Sequence, residues 1–207
     1  MRMAEFTRQQ VIQLLAAVPV GASANFRLRD LSGLDLRGLG FHKADLTLSN
    51  LSDANFSNAD MSYANLSNAN LARSNFHSAN LSDACLTGAV LHAEFGNASL
   101  RNADISRAYI GDSNLRDADL TNANFTETVL MGANFEGADL TNVNFCRAVL
   151  TGANLIGANF GSANLSRANL RWANLRNADL SKADLSGADL GNADLTNASM
   201  PDTRKNT

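Results

Sequence analysis

The chain has 207 residues, enough for one domain or at most two, and its net charge is −3. This charge is too weak to predict nucleic-acid binding, and no run of Lys or Arg is present. Residues 1–43 carry six basic and three acidic groups (+3), and residues 44–207 carry eleven and seventeen (−6). No stretch approaches the length of apolar sequence that spans a membrane. Two cysteines, Cys85 and Cys146, are too few for a disulfide framework and favour a reduced, cytoplasmic protein.

A short helix is predicted near residues 7–18. Thr7 and Gln10 have the spacing of a capping box, and Pro19 ends the helical pattern. The apolar face of this helix comprises Val11, Leu14, Leu15 and Val18. We expect it to cover the start of the region that follows.

The same segment has features of a secretory signal peptide, which would place the protein in a periplasm or a thylakoid lumen. Arg2 and Arg8 precede an apolar run over residues 11–20, and Ala22-Ser23-Ala24 has the form of a cleavage motif. Against this interpretation, Gln13 interrupts the apolar run, and cleavage after residue 24 would cut into the first repeat. The capping helix is the favoured interpretation.

From Phe26 to Met200 a large apolar residue recurs at every fifth position, 36 times with one slip. We call this residue i; it is Leu in 23 pentads and Phe in nine. Residue i−2 is Ala in 28 pentads, and residue i−1 is Asn or Asp in 27. A five-residue period fits neither an amphipathic helix nor an ordinary strand, so the sequence predicts a repeat architecture.

The motif A(D/N)LXX, as in Ala118-Asp119-Leu120-Thr121-Asn122, resembles that of the pentapeptide repeat family. The resemblance implies an all-β solenoid, a right-handed quadrilateral β-helix with four pentads per coil and with i and i−2 pointing inward. The 36 pentads then give about nine coils over residues 24–200, between a cap segment (1–23) and a tail (201–207). The helix and the ending Met200-Pro201-Asp202 also resemble cyanobacterial members of the family.

One slip interrupts the period, because Leu91 is followed by Phe95 four residues later while Ala93 keeps the i−2 role. We interpret the slip as a one-residue deletion at a corner rather than a domain boundary. Counting four pentads per coil stacks phenylalanines of neighbouring coils: Phe56, Phe76 and Phe95 on one face, and Phe125 and Phe145 on another. Such stacks are expected of a core, not of a cofactor site.

No arrangement of residues predicts catalysis. His92 and Glu94 have the spacing of a general base and its partner, but they would lie on open surface without a pocket. The ring of carboxylates formed by Asp179, Asp184, Asp189 and Asp194 lacks the convergent ligands that calcium needs. The sequence therefore predicts no enzyme, with no catalytic residue, cofactor or metal site.

The informative deviation is on the second face, which is formed by the second pentad of each coil. Its i−1 column reads Asp30, Asn50, Asn70, Val90, Tyr109, Val129, Val149, Asn169 and Asp189. Met131 lies beside the four apolar members, Trp172 lies one coil beyond them, and we expect outward apolar residues almost nowhere else. Either these residues simply suit extended backbone, or they form a contact patch. We take the following residues as the candidate interaction patch: Val90, Tyr109, Val129 and Val149, with Met131 and Trp172.

An adjacent i+2 column, Arg107, Glu127, Arg147 and Arg167, is predicted to be a solvated charge ladder of little energetic weight.

Two functions compete. The first is a non-enzymatic interaction scaffold or regulator that binds an unidentified protein or a second copy of itself, and no nucleic acid, membrane or small-molecule substrate. The second is implied by the resemblance, because some family members mimic DNA, bind topoisomerases such as gyrase and confer quinolone resistance. That activity requires a strongly acidic surface and a C-terminal dimerisation module. Eleven basic residues over 44–207 and the short sequence after Met200 count against it.

Overall fold

The computed structural model describes residues 5–202. Arg2, the beginning of the cap segment and residues 203–207 of the tail lie outside the described residues. The described elements are the helix α1 (Arg8–Ala16) and the strands β1 (Asn70–Asn75) and β2 (Val90–Glu94). Most of the remaining repeats are joined by isolated parallel bridges.

These bridges connect i−1 residues to their counterparts 20 residues later, as in Asn25↔Asp45 and Asn124↔Asn144, or 19 residues later across the slip, as in Asn80↔Ser99. A register of 20 residues means that four pentads complete one coil and that each bridge joins neighbouring coils. The backbone follows the same rule, since the Phe125 N–H donates to the Asn144 carbonyl (2.7 Å) and the Asn144 N–H to the Ala123 carbonyl (3.0 Å). Stability therefore comes from stacking each coil on the next.

Most pentads end in a tight corner. In the repeat around Leu120, Asn122 lies in the left-handed region (φ 62°), and the Ala123 N–H donates to the Leu120 carbonyl (2.9 Å). A positive φ at the third turn position defines a type II turn, which Gly and Asn adopt at the lowest cost. This geometry explains the many Gly and Asn residues at i+2.

The Asn and Asp residues at i−1 hold the corners in place. The Asp119 Oδ1 atom accepts the N–H of Thr121 (3.1 Å), and the same contact recurs in most pentads. The asparagines also bond between coils, as Asn154 Nδ2 donates to Asn134 Oδ1 (3.0 Å). The preference for Asn or Asp at this position therefore has a local cause.

The i and i−2 side chains form one continuous buried core. As predicted, phenylalanines stack between coils: ring centroids lie 5.2 Å apart for Phe56 and Phe76, 5.0 Å for Phe76 and Phe95, and 5.1 Å for Phe125 and Phe145. Among the described residues, no buried side-chain polar atom lacks a hydrogen-bond partner.

At the slip, the chain stays extended instead of turning. Strand β2 pairs with β1 in parallel, and the register is irregular between Ala72 and Asn75. Ala93 keeps its buried i−2 place, and its N–H donates to the buried hydroxyl of Ser113 in the next coil (3.0 Å). The core continues on both sides of the slip.

Helix α1 lies against the first coil. Thr7 and Gln10 form the capping box, and the helix ends at Ala16, two residues earlier than expected. Val11 is fully buried, and Leu15 and Val18 pack against the core, but Leu14, expected on the same face, is exposed. Leu14 lies about 60° around the helix axis from Val11 and is 44% exposed, so the buried face is narrower than predicted.

The aspartates of the last coils predict a loss of stability in acid. Hydrogen bonds from Ser186 and Thr196 hold the pKa values of Asp184 and Asp194 below the ordinary 3.8. Because these pKa values are lowered on folding, their contribution is present above pH 3.8 and is lost as pH falls through the folded pKa. Asparagine accepts the same N–H without titrating, as Asn174 does from Arg176 (3.3 Å).

We therefore expect the double variant Asp184→Asn with Asp194→Asn to lose less stability than the parent below pH 3.8. Urea midpoints measured across this pH range test the difference. An equal acid loss in both proteins would contradict this role of the two carboxylates.

Candidate functional site

The apolar members of the second face lie on one another in successive coils. Parallel bridges join Val90 to Tyr109, Tyr109 to Val129 and Val129 to Val149. We call these four residues the apolar stripe. Val90 and Tyr109 are exposed (45% and 43%), whereas Val129 and Val149 are half-buried. Met131, beside the stripe, is also exposed.

The stripe residues lack a side-chain hydrogen bond that the other i−1 residues of the same face form. Asp30, Asn50 and Asn169 each accept the N–H two residues further on, at 3.0–3.3 Å. Valine has no acceptor for this bond, and a typical hydrogen bond contributes about 1 kcal/mol. Four successive coils therefore lack a side-chain amide or carboxylate at i−1, and with it this local hydrogen bond.

The Tyr109 side chain covers part of the residues that follow it beside the stripe. A Cβ atom at Gly111 would lie 3.3 Å from the Tyr109 hydroxyl, so the phenol ring lies along the face over the backbone of Gly111. The His92 ring meets the Tyr109 ring edge-on, with centroids 5.3 Å apart. Glu94 instead accepts a hydrogen bond from Asn114 (2.9 Å), so His92 and Glu94 have different partners.

One edge of the stripe is mainly basic. We call the column Arg107, Glu127, Arg147 and Arg167 the arginine border. Glu127 forms ion pairs with Arg107 (3.3 Å) and Arg147 (3.2 Å), and the side chains involved are well exposed. Arg167 forms no ion pair with another residue in the described part of the chain.

The other edge combines an acid, two glycines and an aromatic residue. We call the column Asp112, Gly132, Gly152 and Trp172 the opposite border. All four have positive φ, and Trp172 is 63% exposed. A bulky residue in the left-handed region is uncommon and costs about 1–2 kcal/mol. Within residues 5–202, Asp112 forms no ion pair.

The expectation that outward apolar residues occur almost nowhere else is wrong. Leu28, Leu48 and Tyr63, all at i+2, are exposed, and Leu28 and Leu48 line an open groove of about 480 Å³. Tyr63 contacts the His42 ring at 5.5 Å, and the Lys43 Nζ atom lies 5.9 Å from its centroid. Sequence reasoning missed these residues because it treated i+2 as a polar position.

Chemical groups elsewhere are occupied by local contacts. Cys85 and Cys146 are free thiols. Within residues 5–202, no cluster of three or more His, Cys, Asp or Glu side chains is placed to hold a metal ion. Asp179, Asp184 and Asp189 each accept a backbone N–H two residues further on. The one described helix, with nine residues, is too short to cross a membrane.

The family of the chain follows from its repeats. The model for pentapeptide repeats matches residues 54–92, 93–131, 129–167 and 163–200, with eight copies. These matches cover more than half of the chain, which therefore belongs to the pentapeptide repeat family. No curated protein sequence matches it.

Two solved structures are similar over most of the chain. HetL, a pentapeptide repeat protein involved in heterocyst differentiation regulation in the cyanobacterium Nostoc sp. strain PCC 7120, is 28% identical with a TM-score of 0.50. The match covers 96% of this chain and 98% of HetL. A trypsin-treated form of QnrB1, a plasmid-mediated fluoroquinolone resistance protein, is 23% identical with a TM-score of 0.54, over 82% of this chain and 90% of that one. The likeness to QnrB1 concerns the fold alone.

Proposed function

We propose that this chain is a non-enzymatic interaction scaffold or regulator in the cytoplasm, and that it binds protein through the apolar stripe with Met131 and Trp172. The observation that carries the proposal is the replacement of the hydrogen-bonding i−1 residue by Val or Tyr in four successive coils. Contiguous exposed apolar surface of this kind is typical of an interface. The proposed partner is a protein, not a nucleic acid, a membrane or a small-molecule substrate. The printed role of HetL in regulation supports the same class of function.

The proposal includes a specific organisation of the chain. Residues 1–23 form a cap segment, residues 24–200 a right-handed quadrilateral coil of about nine turns, and residues 201–207 a tail. The parallel bridges at a separation of 20 residues support this division. DNA mimicry receives less support, because the arginine border places three basic side chains along one corner of the coil.

The double variant Val129→Arg with Val149→Arg should abolish binding, because an unpaired charge buried in an interface costs several kcal/mol. The immobilised protein is incubated with lysate of its source organism, and the retained proteins are compared between parent and variant. The matched control is Asn122→Arg with Asn142→Arg, which adds the same charge at exposed corners where Arg is already tolerated at Arg107. Retained binding by the stripe variant, with a normal unfolding midpoint, would contradict the proposal.

A further inference from the structure

The two borders of the second face indicate what covers the stripe. Resting on the interaction function proposed above, we infer that the apolar stripe packs against the same stripe of a second copy of this chain. The two copies run parallel, related by a two-fold axis that lies along the stripe.

The borders match each other coil by coil. A residue of the arginine border and the residue five positions later flank the same side of the same coil. Arg107 is thereby level with Asp112, and Arg167 is level with Trp172. Between them, Glu127 and Arg147 are level with the two glycines, Gly132 and Gly152. Arg107 and Arg167 thus each have a complementary group at their own height, and Arg147 has an open space at Gly152.

In a two-fold symmetric dimer, residues of the two borders that are level with each other come into contact between the copies. A two-fold axis along the stripe places each border over the opposite border of the other copy at the same coil. Arg107 then meets the partner's Asp112 in an ion pair, and Arg167 meets the partner's Trp172 in a cation–π contact. A two-fold axis across the stripe would place one arginine border on the other, so Asp112 and Trp172 would not meet Arg107 and Arg167. The pairing of Arg107 with Asp112 and of Arg167 with Trp172 therefore favours the parallel arrangement.

The contacts within one chain leave these groups available. Asp112 and Arg167 form no ion pair with any residue between 5 and 202. Glu127 is already paired with Arg107 and Arg147. The Asp112 carboxylate extends over Gly132, whereas the space at Gly152, level with Arg147, is open. Trp172 is exposed despite its large apolar ring.

The size of the stripe predicts a weak, reversible dimer. Three strand spacings make the stripe about 14 Å long. A stripe of this length covers only part of the area of about 800 Å² per partner that a standard interface buries. Association should therefore depend on concentration. Sedimentation velocity of the full chain over a wide concentration range should show a monomer–dimer equilibrium.

Tryptophan fluorescence locates the interface, because Trp172 is the only tryptophan in the chain. Its emission should shift to shorter wavelength as the dimer forms and Trp172 leaves water. A dimer that forms without any change in this emission would overturn the arrangement.

Charge reversal provides the decisive test. Arg107→Asp and Asp112→Arg, each alone, should weaken self-association about tenfold or more by placing like charges across the interface. An equimolar mixture of the two single variants should form a heterodimer, and the double swap should restore the homodimer. Unchanged unfolding midpoints serve as the control for folding.

The outcomes separate this inference from the proposed function. Single reversals without effect, or a parent that stays monomeric at every concentration, would overturn the dimer. If the stripe variant Val129→Arg with Val149→Arg still loses capture of another protein in that case, the interaction function stands without the dimer. If a monomeric chain also retains capture in that variant, both are wrong.

Discussion

Replacing Phe76 with alanine should cost about 3–5 kcal/mol of unfolding free energy, the range found for large buried aromatic side chains. Phe76 is fully buried and stacks on both neighbours, Phe56 at 5.2 Å and Phe95 at 5.0 Å. The resulting cavity would interrupt a three-ring column, and the hydrogen-bonded coils on either side limit how far the backbone can close it.

The control for this change is Asn75→Ala in the adjacent position. Asn75 faces outward and accepts one hydrogen bond from the His77 N–H (2.9 Å), so its loss should cost about 1 kcal/mol. Chemical denaturation of both variants gives the comparison. Equal losses would mean that the inward facing of the i residues is wrong.

Replacing Ser113 with alanine should destabilise the protein by about 1–3 kcal/mol, although alanine is the usual residue at i−2. The Ser113 hydroxyl accepts the N–H of Ala93 at the slip, and both residues are buried. Without this acceptor, a buried donor loses its hydrogen bond, and burying an unsatisfied donor costs more than the bond itself contributes.

Ser49→Ala is the matched control for Ser113→Ala. The Ser49 hydroxyl is equally buried, but it donates to the Leu46 carbonyl, which also accepts the Ser49 N–H (3.1 Å). Its removal leaves no backbone group unpaired, so urea denaturation should show little change. A neutral Ser113→Ala variant would show that the slip does not depend on this hydroxyl.

The sequence predicted the features that follow directly from the five-residue period. The positions of Phe76 and of the stripe residue Val129 follow from this period together with the four pentads per coil that the resemblance to the family implies. The left-handed corners were missed, although Gly and Asn at i+2 carry that signal. As a result, the exposure of Leu28 was not foreseen.

Contacts between coils depend on side-chain geometry that a repeat count does not contain. The hydrogen bond between Ala93 and Ser113 joins the slip to a serine in the next coil, and neither position reveals this contact when it is considered alone. The bridging role of Glu127 between two arginines likewise depends on how far side chains reach from one coil to the next. The sequence shows which residues form a column, and the structure shows which contacts the residues of each column make.

The 20-residue register also limits how this chain can change in length. An insertion of one pentad ahead of Val129 would keep the i and i−2 side chains pointing inward, yet it would rotate all later repeats by a quarter turn. Val129 and Val149 would then lie on the third face, and the stripe would be divided between two sides of the molecule. An insertion of four pentads would leave the faces aligned and only separate the two halves of the stripe along the axis. The fold tolerates growth by five residues, but a surface shared by several coils is preserved only when growth occurs in steps of 20.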